Sequence, residues 1–394
     1  MSRIHELATL GQSIWYDYIR RSFLTSGELQ ALIDEGLRGV TSNPSIFEKA
    51  IAGSADYDDD LKCLVEEDKS VEEIYEALVL EDITMAADLL RPVYDSTGGI
   101  DGYVSLEVSP TLAHETKKTI SEAKRLFEAL HRPNVMIKVP ATPAGTPAIT
   151  ELIGSGVNVN VTLIFGLEDY KAVAEAYVKG LEKLADEGPS VDGGLMVDRV
   201  ASVASLFVSR VDTVVDSELE KRGNVGAMHA SPLQGKIAIA NVKAAYAEFQ
   251  KIFSGPRWEK LAGKGARVQR PLWASTGTKN PRYPDTLYVD ELIAPDTVNT
   301  VPPATFKNVL NHGAVSITLT QGVDEAKAQL AQLADLGIDL RAITQKLQDD
   351  GVAAFAKSFE SLMASIAEKR DGLLAGEKGY SASLGNFQSA VDDA

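Results

Sequence analysis

Apolar residues fall along the chain in two alternating rhythms. One is a short run rich in β-branched residues and closed by Pro, Gly or a polar turn, as in Asn134-Val135-Met136-Ile137-Lys138-Val139-Pro140. The other is a longer stretch with apolar positions at near-helical spacing, as in Ile74, Leu78, Ile83, Ala86, Ala87 and Leu90. The first rhythm predicts strands and the second amphipathic helices. Strands are predicted around residues 13–19, 39–41, 102–110, 134–140, 157–165, 200–210, 267–276 and 297–301. Helices are predicted near 25–35, within 45–98, at 111–130, from 146, and at 167–186, 211–222, 232–253 and 285–293, returning near 305–311, 323–336 and 340–370. The acidic run 56–60 reads as a solvated loop or helix cap, and residues 251–265 fit neither rhythm. The Gly, Ser and Ala rich tail 371–394 reads as a docked helix or a loose end.

Eight strands that mostly alternate with helices predict an α/β chain folded as a single (β/α)8 TIM barrel with additional N-terminal and C-terminal helices. Residues 1–322 would form the barrel and residues 323–394 a helical extension packed on it rather than an independent domain. A doubly wound sheet competes, but no GxGxxG follows the first strand and no GxxxxGK[ST] loop is present. The strand at 157–165 sharpens the choice. Asn158, Asn160 and Thr162 alternate with Val157, Val159, Val161 and Leu163, so one face is polar and the other apolar. In a one-sided sheet that row would face solvent. Parallel strands are covered outside by helices, so here it points into the barrel or a ligand crevice.

Charge narrows the partners. A net charge of -17 argues against nucleic acid or an anionic membrane surface, and any phosphate ligand must be held by local cations. The single cysteine, Cys63, excludes an intrachain disulfide, and no secretory pattern opens the chain, which together fit a cytoplasmic location. His5, His114, His131, His229 and His312 are scattered without HExxH or Cys/His spacing, and no GxSxG elbow occurs, so no metal centre or serine triad is expected. What remains is a series of polar groups at successive strand ends: Asp17, Asn43, Glu107, Lys138, Asn160 with Thr162, Ser205 with Arg210, and Lys279. On a barrel these converge on one mouth. Lys138 stands out because an unpaired ammonium is costly to bury, whereas a neutral lysine amine attacks carbonyls. A lysine that snorkels from the strand end or pairs with a carboxylate is the structural alternative.

In these motifs the chain resembles transaldolases along nearly its whole length. The resemblance rests on Trp15-Tyr16-Asp17, Thr41-Ser42-Asn43-Pro44, Val104-Ser105-Leu106-Glu107-Val108, Ile137-Lys138-Val139-Pro140-Ala141-Thr142, Asn158-Val159-Asn160-Val161-Thr162-Leu163 and Ser205-Leu206-Phe207-Val208-Ser209-Arg210. It implies a Schiff-base transferase of the pentose phosphate pathway, acting on sugar phosphates without metal or organic cofactor. Such an enzyme moves a dihydroxyacetone unit from sedoheptulose 7-phosphate to glyceraldehyde 3-phosphate, giving erythrose 4-phosphate and fructose 6-phosphate. By the same resemblance Lys138 forms the Schiff base, Asp17 takes the C4 hydroxyl proton, and Glu107 and Thr162 move protons through a water. Asn43 and Asn160 would hold sugar hydroxyls, Phe207 would pack beside the intermediate, and Ser205 and Arg210 would bind phosphate. Lys279 stands where transaldolases often carry arginine, keeping the charge but losing the planar fork. Asp17 and Glu107 as ion-pair partners, the asparagines as turn or packing residues, and Phe207 as core are the structural alternatives; Asn158 is assigned to packing. The length of the C-terminus resembles the longer, bacterial-type branch, for which a monomer or homodimer is expected. Two rival functions stay open: an aldolase releasing free dihydroxyacetone, and a noncatalytic sugar-phosphate sensor.

Overall fold

Eight parallel strands close on themselves in sequence order in the computed structural model, which describes residues 2–187, 197–223 and 232–375. They are β1 (Gln12–Asp17), β2 (Gly39–Thr41), β3 (Tyr103–Glu107), β4 (Val135–Pro140), β5 (Val159–Ile164), β6 (Ser202–Phe207), β7 (Arg270–Ala274) and β8 (Thr297–Val301). β8 pairs with β1 to complete the barrel, with Ser13 opposite Val298 and Trp15 opposite Thr300. This is the (β/α)8 architecture expected from the sequence, and additional helices flank it at both termini.

Helix boundaries follow local chemistry. The helix Val71–Ser96 opens with a capping box in which Ser70 and Glu73 satisfy each other's backbone N–H groups. Its face of Ile74, Leu78, Ile83, Ala86, Ala87 and Leu90 is buried, as the near-helical spacing predicts. The helix Thr116–Leu130 ends at His131, whose φ of 46° places it in the left-handed region.

Two expectations need correction, and one unassigned segment finds its place. β6 stops at Phe207, and Arg210 lies in the first turn of the helix Ser209–Gly223 rather than at a strand end. The acidic run opens the helix Asp58–Glu66, as its helix-cap reading has it, but it is not simply solvated: Asp56 accepts a fork of bonds from Arg20 at 2.6 and 2.8 Å, and Asp60 pairs with Arg21. Residues 251–265 contain the helix Pro256–Ala262, pinned by Trp258 edge-on to Phe253 at 4.8 Å and by Arg257 to Glu175 and Glu182. The tail from residue 376 lies outside the described residues.

The N-terminal half of the barrel interior is a packed plug. Trp15 and Tyr103 fill it, and Gly39 lies against Trp15 so closely that a β-carbon there would sit 2.6 Å from the indole. Arg270 pairs with Asp101 at 2.9 Å and donates to Ser13 Oγ and the Thr297 carbonyl, so the buried charges are matched. The N-terminal end is therefore closed, which leaves the C-terminal end as the mouth of the barrel. Across that end runs the helix Leu340–Leu374. Gln348 bonds to the ends of β4 and β5, Ser358 to Ser45, and Lys369 to Asp58 and the Ile51 carbonyl. Among the described residues no helix is long and apolar enough to cross a membrane.

Candidate active site

Parallel register sets the site. Glu107 of β3 stands beside Lys138 of β4, and Lys138 beside Asn160 of β5. Side chains at one level of adjacent strands share a face, so an acid, an amine and an amide meet inside the barrel mouth. Lys138 is 5% exposed, so its hydrogen bonds must come from protein groups rather than bulk water. Its Nζ lies 3.2 Å from Glu107 Oε2 and donates to the Ser42 carbonyl at 2.8 Å. The ion pair with Glu107 is close but not a directed hydrogen bond, leaving Oε2 without a hydrogen-bond partner among the described residues. Desolvation pushes the Glu107 carboxyl above its ordinary range, opposed by Lys138 and reinforced by Asp17. Such a carboxyl can hold or release a proton close to the amine.

Asp17 ends β1 and accepts from Thr41 Oγ1 at 2.7 Å; that hydroxyl also lies 2.7 Å from Thr300 Oγ1. Desolvation again pushes the carboxyl up, while Lys138, the Thr41 hydroxyl and Arg210 oppose it. Arg210 lies with its guanidinium carbon 5.4 Å from the Phe207 ring centroid. Among the described residues Arg210 has no hydrogen-bond or ion-pair partner, and burial pulls its affinity for the proton down against the field of Asp17. A half-buried guanidinium without a partner is a ready anion site.

The polar row of β5 divides as the sequence suggests. Asn158 ties strands together at the closed end, donating to the Pro133 and Val135 carbonyls and accepting from Ala201 N–H. Asn160 is fully buried, donates to Ser105 Oγ at 3.0 Å and accepts from Ser205 Oγ at 2.7 Å. Ser205 thus meets Asn160 directly. Thr162 is also fully buried, and among the described residues its Oγ1 has no hydrogen-bond partner. Asn43 caps the short helix Pro44–Phe47, its Oδ1 accepting Ile46 N–H at 2.9 Å, which leaves its amide N–H groups for other use. Phe207 packs 5.2 Å from Phe165, and Lys279 is exposed on the loop after β7. The structure therefore gathers Asp17, Glu107, Lys138, Asn160 and Ser205 through direct bonds or mutual fields, and leaves Lys279 outside that network.

Several contributors escape a sequence reading. Ser105 is two residues from Glu107 and so shares its face; the strand period alone could have found it. Thr41 and Thr300 bracket Asp17 from strands too short or too uniform to mark them. Phe355, whose ring lies 6.0 Å from Lys138 Nζ, comes from the C-terminal helix and carries no local signal. A lateral cavity of about 240 Å³, lined by Tyr75, Leu106, Arg125, Phe359 and Met363, also reaches Glu107 from between the helices. Among the described residues no group of three His, Cys, Asp or Glu side chains could hold a metal ion.

Comparison with known proteins shows the family. A family model described as Transaldolase/Fructose-6-phosphate aldolase matches residues 14–366. A protein named Transaldolase from Trichodesmium erythraeum is 46% identical over 372 residues, covering 92% of this chain and 96% of its own. Transaldolase 2 of Nostoc punctiforme is 47% identical over 373 residues, covering 92% and 96%. Transaldolase of Thiobacillus denitrificans is 47% identical over 367 residues, covering 93% of this chain and 100% of its own.

Proposed function

The chain belongs to the transaldolase/fructose-6-phosphate aldolase family, and from that membership and the barrel-mouth geometry we propose that it is a transaldolase. It transfers a dihydroxyacetone unit from sedoheptulose 7-phosphate to glyceraldehyde 3-phosphate, leaving erythrose 4-phosphate and fructose 6-phosphate. The observation that carries the reading is Lys138 Nζ, buried in the barrel mouth 3.2 Å from Glu107, whose carboxyl desolvation pushes above its ordinary range.

The steps follow from that pair. The Lys138 amine adds to the C2 carbonyl of the ketose, and the carbinolamine loses water as Glu107 returns a proton to the departing oxygen. Thr162, with a free hydroxyl on the inward face, holds that water. The protonated imine is an electron sink. Asp17 removes the C4 hydroxyl proton, the C3–C4 bond breaks, its electrons pass to the imine, and the aldose leaves. Asn160 and Asn43 offer amide N–H groups and oxygens to the hydroxyls of the remaining enamine, and Phe207 covers its apolar side. The enamine then attacks the acceptor aldehyde, Asp17 protonates the new alkoxide, and water releases the product from Lys138. Arg210 binds the phosphate, supported by Ser205, while Lys279 supplies a more distant positive charge. A lyase would run the first half and release dihydroxyacetone to water.

The proposal extends to a cytoplasmic location, which a chain with one cysteine fits, and to a monomer or homodimer. It also takes residues 1–322 as the catalytic barrel and 323–394 as its extension, supported by the bonds from the C-terminal helix to β4 and β5. Borohydride reduction in the presence of fructose 6-phosphate, followed by peptide mass mapping, is expected to place one three-carbon or six-carbon adduct on Lys138. Lys138→Ala is expected to abolish it. Absence of any adduct from the unaltered enzyme would favour the sugar-phosphate sensor, and consumption of sedoheptulose 7-phosphate independent of an acceptor aldehyde would favour the lyase.

A further inference from the structure

The C-terminal helix Leu340–Leu374 meets the barrel at its one irregular strand end. The pairing of β5 with β6 shifts register between Val161 and Ile164, and Leu163 within that bulge has a φ of 58°. A branched apolar residue rarely adopts the left-handed region, and such strain persists only where the surroundings hold it. Thr162, whose hydroxyl has no hydrogen-bond partner among the described residues, lies beside Leu163 inside the same irregularity. What holds it is Gln348. This side chain is 2% exposed, and its amide nitrogen donates to the Leu163 carbonyl at 3.1 Å and to the Ala141 carbonyl at 3.1 Å. Ala141 in turn donates its N–H to the Thr162 carbonyl at 2.8 Å. The peptides on both sides of Leu163 are thus fixed, one through Ala141 and one by Gln348 directly.

The helix is shaped for the contact. Gly351 lies against the Leu163 side chain, where a β-carbon would approach to 3.0 Å. Phe355, seven residues beyond Gln348 and so on the same helix face, brings its ring to 6.0 Å from Lys138 Nζ. One face of one helix therefore touches both the bulge and the nucleophile.

We propose that Gln348 is a positioning residue for the imine chemistry: by clamping the Leu163 and Ala141 carbonyls it maintains the β5 bulge that aims the Thr162 hydroxyl beside Lys138. Without the clamp, Leu163 relaxes toward extended backbone and Thr162 turns with it. The inference rests on the reading of Thr162 as the residue that places water at the imine.

The test is exchange of the C2 carbonyl oxygen of fructose 6-phosphate with H₂¹⁸O, which needs imine formation and hydrolysis, measured beside KM and thermal stability. Gln348→Met keeps the packing volume and removes the donor. It is expected to slow exchange about ten- to a hundredfold, the scale of a misplaced catalytic group, with KM nearly unchanged and Tm lowered by only a few degrees for the two carbonyls left without a donor. Gln348→Glu sets a carboxylate against two carbonyls, so its exchange rate relative to the unaltered enzyme is expected to recover as pH falls and the added carboxyl gains a donor proton. A merely structural role would lower Tm without that pH-dependent recovery. Thr162→Ala runs alongside. If it slows exchange while both Gln348 variants exchange at the unaltered rate, the positioning role is overturned and the site reading stands. If Thr162→Ala leaves exchange unchanged, the water-placing role fails and the inference falls with it.

Discussion

Asp212 offers the sharpest test of the electrostatics outside the barrel mouth. It is 1% exposed, accepts Ala238 N–H at 2.7 Å and accepts the Tyr288 hydroxyl at 2.7 Å. Desolvation outweighs those bonds, and with the charge of Asp216 nearby the carboxyl is pushed up from 3.8 to about 6. In the unfolded chain it titrates near the ordinary value, so between pH 3.8 and about 6 the folded protein keeps a proton that the unfolded chain has lost. The sign follows: stability associated with this group is complete below pH 3.8 and is lost as pH rises through about 6. At about 1.36 kcal/mol per pH unit, that gap amounts to about 3 kcal/mol at neutral pH. Asp212→Asn reproduces the neutral carboxyl. Its oxygen can accept Ala238 N–H and its amide can donate to the Tyr288 oxygen, so the bonds survive and the penalty does not. The variant is therefore expected to match the unaltered protein at pH 3.5 and to exceed it at pH 7. With about 2.1 cal/mol/K of unfolding entropy per residue, the advantage at pH 7 amounts to about 4 °C in Tm. Paired thermal melts at pH 3.5, 5, 6 and 7 cancel all groups common to both proteins. A difference that is independent of pH, or a variant less stable at pH 7, would refute the assignment.

Arg210→Ala removes one charge from two places. It is expected to raise KM for fructose 6-phosphate about ten- to a hundredfold, the worth of charge-assisted bonds of about 1.5–3 kcal/mol, while unphosphorylated fructose still forms the imine. Because Arg210 holds the Asp17 carboxyl down, the acid limb of kcat/KM should also move to higher pH as Asp17 is protonated more readily. Equal losses with both ketoses would contradict the phosphate role. Gly39→Ala drives a β-carbon to 2.6 Å from the indole of Trp15, which is fully buried and held near Asp101, so the ring has little room to yield. An overpacking cost of about 1–3 kcal/mol is expected in thermal melts; unchanged stability would mean the plug can shift.

The barrel was legible because parallel strands covered by helices leave a plain mark, short β-branched runs set between amphipathic stretches. Lys138 and Asp17 were legible for a related reason: a charge placed in an apolar strand must answer for its burial. Arg210 shows where that reasoning stops. The apolar run preceding it continues through Val208, and only the fold reveals that the strand ends at Phe207 and a helix begins at Ser209. Pairings between distant segments leave no local trace at all. Arg21 donates to Asp82 at 2.5 Å across 61 residues, with Tyr57 also donating to that fully buried acid, yet each residue alone looks like ordinary surface charge.

Gln348 carries the same point into the active site. A polar residue midway along a helix with Gln345, Lys346, Asp349 and Asp350 around it reads as solvent-facing, and nothing near it names a partner 185 residues away. Its counterpart, Leu163, reads as an unremarkable strand residue because a left-handed φ is invisible in an alternating pattern. The two become informative only together, since the buried amide of one donates to the carbonyl of the other. The chemistry of the barrel mouth can thus be read from strand ends, where each polar residue is costly by itself. The precision of that chemistry depends on contacts whose cost appears only when the chain has closed.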